Sequence, residues 1–105
     1  MAKDGQYKLS CAEKHREQLR QWAEKAASLG IGAQFADAVI VVNTKLKTEP
    51  LAWGDPNYRL HKLDLLVCHG MHEMLHVYYG VDEENQIVYI QQFRLQPDHP
   101  LSSNP

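Results

Sequence analysis

Residues 75–90 read Leu75-His76-Val77-Tyr78-Tyr79-Gly80-Val81-Asp82-Glu83-Glu84-Asn85-Gln86-Ile87-Val88-Tyr89-Ile90, and this stretch decides the fold. Leu75, Val77 and Tyr79 are apolar at every second position. A half-buried strand needs that alternation, because successive side chains point to opposite faces of a sheet. Asp82, Glu83, Glu84 and Asn85 gain nothing from burial and belong in a solvated turn, so the chain folds back into a second strand at Ile87-Val88-Tyr89-Ile90. Both parities are apolar there, which predicts a strand inside the sheet with both faces partly covered.

Two helical segments precede this hairpin. After a short predicted strand at Tyr7-Lys8-Leu9, Ser10 and Glu13 have capping-box spacing and predict a helix start near Ser10. Ala12, His15, Leu19, Trp22, Ala26 and Leu29 follow at three- and four-residue steps on one stripe, and Gly30 offers a left-handed stop. A second stripe runs through Ile31, Phe35, Ala38, Val39, Val42 and Leu46 and should end at Pro50, although the β-branched run 39–42 lowers its intrinsic propensity. Leu19, Trp22, Phe35, Val39 and Val42 are expected between this helical pair and the sheet.

Leu51-Ala52-Trp53-Gly54-Asp55-Pro56 combines a turn with an aromatic anchor, after which Tyr58-Arg59-Leu60 and residues 63–67 extend again. The polar, proline-rich end, residues 97–105, reads as a mobile tail. The fold class is therefore α+β: two N-terminal antiparallel helices packed on an antiparallel β-sheet, in one domain spanning residues 1–105.

The formal charge of −2 and pI near 6.3 give no global attraction to nucleic acid, so any such contact must be local. Cys11 and Cys68 lack metal-ligand spacing, and the first residues lack an apolar signal core; both fit a cytoplasmic protein with reduced thiols. The longest apolar run, 38–42, falls far short of the roughly 18 residues of a membrane span.

His72-Glu73-Met74-Leu75-His76 matches the H-E-x-x-H motif, in which two histidines one helical turn apart bind zinc and the glutamate activates water. The β-forming Val77-Tyr78-Tyr79 run and the flanking Gly70 and Gly80 favour an extended conformation over 72–79. A strand separates the two imidazoles by roughly 13 Å, so they could not share one ion. Met71, Met74, Leu75 and Tyr78 at helical spacing keep the helix, and with it a zinc-dependent hydrolase, as an alternative.

The order strand, helix, helix, strands, the segment 50–54 before Arg59-Leu60, and Leu75-His76-Val77-Tyr78-Tyr79 leading through Asp82-Glu83 into the last strand resemble the RelE/ParE superfamily of type II toxin-antitoxin systems. The resemblance covers roughly residues 7–95. It implies a small toxin neutralised by a cognate antitoxin. RelE-like members are ribosome-dependent endoribonucleases that cleave mRNA, and ParE-like members inhibit DNA gyrase. Cleavage beside a ribose 2′-hydroxyl needs that hydroxyl activated, the phosphorane charge stabilised and the leaving oxygen protonated. The catalytic candidates are Lys45 and Lys47 at the end of the second helix, Arg59 (with Lys62) on the following strand, and Arg94 on the last one. They are expected to gather on one sheet face, without a metal or cofactor; an ordinary solvated surface is the alternative for each. Leu75 stands where active RelE-like toxins usually carry an arginine. The resemblance therefore also admits a non-catalytic, protein-binding relative.

Overall fold

The computed structural model describes residues 6–60 and 65–102, with residues 57–60 as backbone only. Strand β1 (Lys8–Ser10) leads into helices α1 (Glu13–Ser28), α2 (Gly32–Thr48) and the single turn α3 (Pro50–Trp53). Strands β2 (Asp55–Leu60), β3 (Leu65–His72), β4 (Leu75–Asp82) and β5 (Ile87–Leu95) follow, and a 3-10 turn, Pro100–Ser102, closes the described chain. The sheet order is β1-β5-β4-β3-β2. β2 to β5 are antiparallel, as expected; β1 adds in parallel beside β5, pairing Lys8 with Ile87, so the sheet is mixed. β5 lies between β1 and β4, the interior place its doubly apolar pattern requires.

Gly30 stops α1 at φ 81°, with Gly30 N–H donating to Ala27 O at 3.1 Å and Ile31 N–H to Ala26 O at 2.9 Å. These bonds satisfy carbonyls that the helix end would otherwise leave open. The Ser10 capping box does not form: Ser10 is held in β1 opposite Tyr89, and α1 is entered at Ala12 without a side-chain cap. Pro50 ends the α2 segment as expected and starts α3, where its missing N–H costs nothing.

The helices cover one face of the sheet. Phe35, Ala38, Val42 and Leu46 of α2 meet Cys68, Leu75, Val77, Tyr79, Val81, Val88, Ile90 and Phe93 in one core. Leu19, Trp22 and Val39 are only partly buried at its margin, a correction to the expected core. The reason is placement: α2 lies against the central strands β3 and β4, whereas α1 packs on α2 and the 3-10 turn.

Tyr79 anchors the α3 side. Its hydroxyl, buried, donates to Pro50 O at 2.6 Å, and its ring stacks on Trp53 at 6.3 Å between centroids. Burial, more than any neighbour, pushes that phenol far above its ordinary pKa, so it stays a donor at any working pH. The tail also differs from expectation through residue 102: Leu101 is 1% exposed, and the Ser102 hydroxyl bonds to Pro97 O and His99 O at 2.8 and 2.9 Å. A buried leucine outweighs the polar composition around it. Residues 103–105 lie outside the described part. Among the described residues no helix is long and apolar enough to cross a membrane.

Candidate functional site

Alternation along the strands assigns every side chain to one of two faces. With Leu75, Val77, Tyr79 and Phe93 directed at the helices, His69, His76, Tyr78, Gln92 and Arg94 point the other way. Two cross-strand rows then lie side by side on this outer face: His69, Tyr78 and Gln92, and next to it Met71, His76 and Arg94. Paired residues of adjacent strands are the closest neighbours a sheet provides.

The result is a polar aromatic cluster. The His69 ring lies parallel to Tyr78, centroids 4.4 Å apart and planes within 5°. His69 Nε2 and His76 Nδ1 are 3.0 Å apart, so one ring donates its N–H and the other accepts. His76 Nε2 is buried and has no hydrogen-bond partner among the described residues. A buried ring nitrogen without a protein partner is costly in a fold. Burial first, then the charges of His69 and Arg94, hold His76 below the ordinary histidine pKa. It is thus the neutral, proton-accepting member of this face near neutral pH.

That shift has a signed consequence. Around the ordinary imidazole pKa of about 6.5, the unfolded chain protonates His76 before the folded one does, so stability is full above that pH and falls as the pH drops below it. Urea midpoints measured from about pH 8 to about pH 5 should decline in the parent protein, and His76→Asn should flatten the decline. An unchanged slope in the variant would assign the effect to other groups.

A shallow cavity of about 420 Å³, lined by Leu65, Asp82, Tyr89 and Gln91, continues the outer face toward the β4–β5 turn. Gly80, paired with Val67 and Tyr89, leaves room beside it for the Leu65 side chain, whose Cδ1 would lie 3.2 Å from a methyl group at that position. The acidic turn beside it forms as expected: the Asp82 carboxylate accepts from Asn85 N–H at 3.1 Å and from its side-chain amide at 2.9 Å, which lowers the Asp82 pKa.

The four cations expected to converge do not all meet. Arg94 is exposed on the outer face, near the end of β5. Lys45 and Lys47 belong to the last turn of α2, in the layer on the opposite face; Lys45 is ion-paired with Glu49 at 3.1 Å. Lys47 O accepts from Tyr7 N–H at 2.8 Å, which puts that turn beside the start of β1, and β1 pairs with the first residues of β5. Arg94 and the two lysines are therefore separated by the thickness of the sheet and by most of the length of β5. The backbone of Arg59 pairs with Leu66 in β2; its side chain and Lys62 lie outside the described part.

The H-E-x-x-H stretch is extended apart from a turn within it. His72 ends β3, Glu73 and Met74 make a two-residue turn with Glu73 at φ 56°, and Leu75 opens β4. His72 is paired with Leu75 and shares its face, whereas His76 is on the other one, so the two cannot hold one ion. No group of three or more His, Cys, Asp or Glu able to hold a metal occurs among the described residues. The zinc hydrolase alternative is corrected on this geometry. The histidine that meets His76 is His69, which the motif does not contain; the register about the Glu73-Met74 turn is the signal that would have found it. The same register explains Leu75: it is 0% exposed in the core, so a cation there would not reach the outer face.

Two helices over one face of a sheet in the order β1-β5-β4-β3-β2, whose other face carries His69, His76, Tyr78 and Arg94, give a RelE-like α+β fold. A chain of the toxin-antitoxin complex RelBE2 from Mycobacterium tuberculosis superposes on it with a TM-score of 0.61 and 20% sequence identity, covering 86% of this chain and 98% of that one. Neither a protein-family model nor a curated protein matches the sequence.

Proposed function

We propose that this chain is the toxin-like component of a type II toxin-antitoxin pair, acts in the cytoplasm, is neutralised by a cognate antitoxin, and meets ribosome-bound mRNA on its outer sheet face. The observation that carries this reading is the cluster of Arg94, His76, His69 and Tyr78 on the face that the helices leave open in a RelE-like fold. Arg94 supplies charge for a phosphate and its developing negative charge. His76, neutral and hydrogen-bonded to His69 through Nδ1, would act through that ring, holding it and exchanging a proton with it, and the second nitrogen of His69 would take the proton of a 2′-hydroxyl. Tyr78 and the depression lined by Leu65, Tyr89 and Gln91 offer a surface for a base. In this reading Lys45, Lys47 and Arg59, the other catalytic candidates, are assigned to holding the antitoxin or the ribosome, with bond breaking left to the Arg94 cluster.

The test is induced expression with and without the neighbouring open reading frame. Growth arrest is expected, and co-expression of the neighbour should lift it. Arg94→Gln or His69→Asn should relieve the arrest and reduce cleavage of ribosome-bound mRNA by roughly 100-fold, within the range of a lost general base or oxyanion donor. Lys45→Gln with Lys47→Gln should leave the cleavage step in place. Arrest without any RNA cleavage would favour the second reading, a non-catalytic RelE/ParE-fold protein that binds a protein target. One feature supports that reading: Leu75, where the resemblance implies an arginine, is sealed in the core.

A further inference from the structure

Two imidazoles and a thioether stand together on the outer sheet face. The register puts Met71 directly opposite His76 and two residues from His69 on the same strand, so all three side chains leave the sheet on one side. The imidazoles already meet: His69 Nε2 and His76 Nδ1 are 3.0 Å apart. The Tyr78 ring, parallel to that of His69 with centroids 4.4 Å apart, holds His69 in this orientation. Met71 is 55% exposed and both histidines are half-buried beside it, so the group opens to solvent. Two nitrogens that ligate one ion at about 2.0 to 2.1 Å, with a tetrahedral angle between them, lie roughly 3.3 Å apart. The observed separation needs only a small turn of the two rings off their shared hydrogen bond to admit an ion. In that state His69 carries its proton on Nδ1 and His76 on Nε2, and both rings remain neutral. This is not the pair of the H-E-x-x-H stretch, whose His72 is on the opposite face.

We propose that His69 Nε2, His76 Nδ1 and the Met71 sulfur bind one cuprous ion. The donor set selects the metal. A thioether is a soft ligand that favours Cu(I), whereas zinc takes thiolate, imidazole and carboxylate. Among the described residues no carboxylate or thiol completes a set of three with these histidines. Charge points the same way: Arg94 is paired with His76 across β4 and β5, and it repels a divalent ion twice as strongly as a monovalent one. Three neutral donors also suit the monovalent ion, which is less costly to take out of water. An ion held here would replace the hydrogen bond that links His69 to His76. The site shares its histidines with the face assigned above to RNA but does not rest on that assignment, since it needs neither RNA nor an antitoxin.

The probe is Cu(I) alone, kept reduced with ascorbate in the absence of oxygen and titrated into the full chain against the chelator bicinchoninate, with the methionine methyl signals followed by NMR. One equivalent should pass from the chelator to the protein, shifting the Met71 methyl signal and leaving that of the buried Met74 in place. Met71→Leu keeps the size of an exposed side chain and removes only the donor, so the urea midpoint should hold while affinity falls by roughly tenfold; His69→Asn should cost roughly 100-fold. Cys11→Ser and His72→Asn should leave binding unchanged. Equal binding by Met71→Leu, loss of binding in Cys11→Ser, displacement of the copper by zinc at equal concentration, or no uptake against the chelator would each overturn the proposal. The titration contains no RNA, so a failed toxin reading leaves its result intact, and a failed titration leaves the growth assay intact.

Discussion

Gly54→Ala should destabilise the fold by on the order of 3 kcal/mol, through overpacking and a disturbed buried hydrogen bond. A methyl group at Gly54 would lie 2.9 Å from Tyr79 Cζ, closer still to the Tyr79 hydroxyl, and 3.2 Å from His69 O. The tyrosine cannot swing aside cheaply, because its ring is 0% exposed and its hydroxyl is bonded to Pro50 O. Tyr79→Phe alone should cost about 1 to 3 kcal/mol by leaving that carbonyl open. In the double variant the oxygen that meets the new methyl is gone. Its loss should therefore be smaller than the sum of the two single losses, which urea denaturation of all four proteins measures directly. Strict additivity would show that the segment carrying Gly54 moves away freely instead.

Phe35→Ala should lower stability by about 3 to 5 kcal/mol and shift the urea midpoint without changing the slope. The ring is 1% exposed at the centre of the single core, where α2 meets the sheet, so its removal leaves a cavity that several strands would have to collapse to fill. Trp22→Ala, although it deletes the larger side chain, should cost less. Trp22 lies at the rim of the cavity between α1 and β5 and keeps part of its surface in water in the native state. An equal or greater loss at Trp22 would place the main core under α1.

Both stripes were legible in the sequence, but not which helix would sit deeper. Periodicity says which side of a helix is apolar; it is silent on what covers that side. The same limit appears in the site. Arg94 was a candidate from sequence and lies on the open face. Lys45 and Lys47, grouped with it, follow α2 to the opposite layer. His69 attracted no role because its partner His76 is seven residues away, across a turn without glycine or asparagine. Glu73 takes the left-handed conformation there that those residues would have announced.

Local pattern by itself determined that residues 75–90 form a hairpin, that two helices precede it, and that Leu75, Val77 and Tyr79 share an apolar face. Each of these depends on neighbours within a few positions, where the periods of strand and helix are set by backbone geometry. Tertiary structure alone decided that β1 pairs in parallel with β5 and that His69 meets His76 beside Arg94. Those outcomes follow from register and lateral order, which are fixed by turn geometry and by packing between segments far apart in the chain.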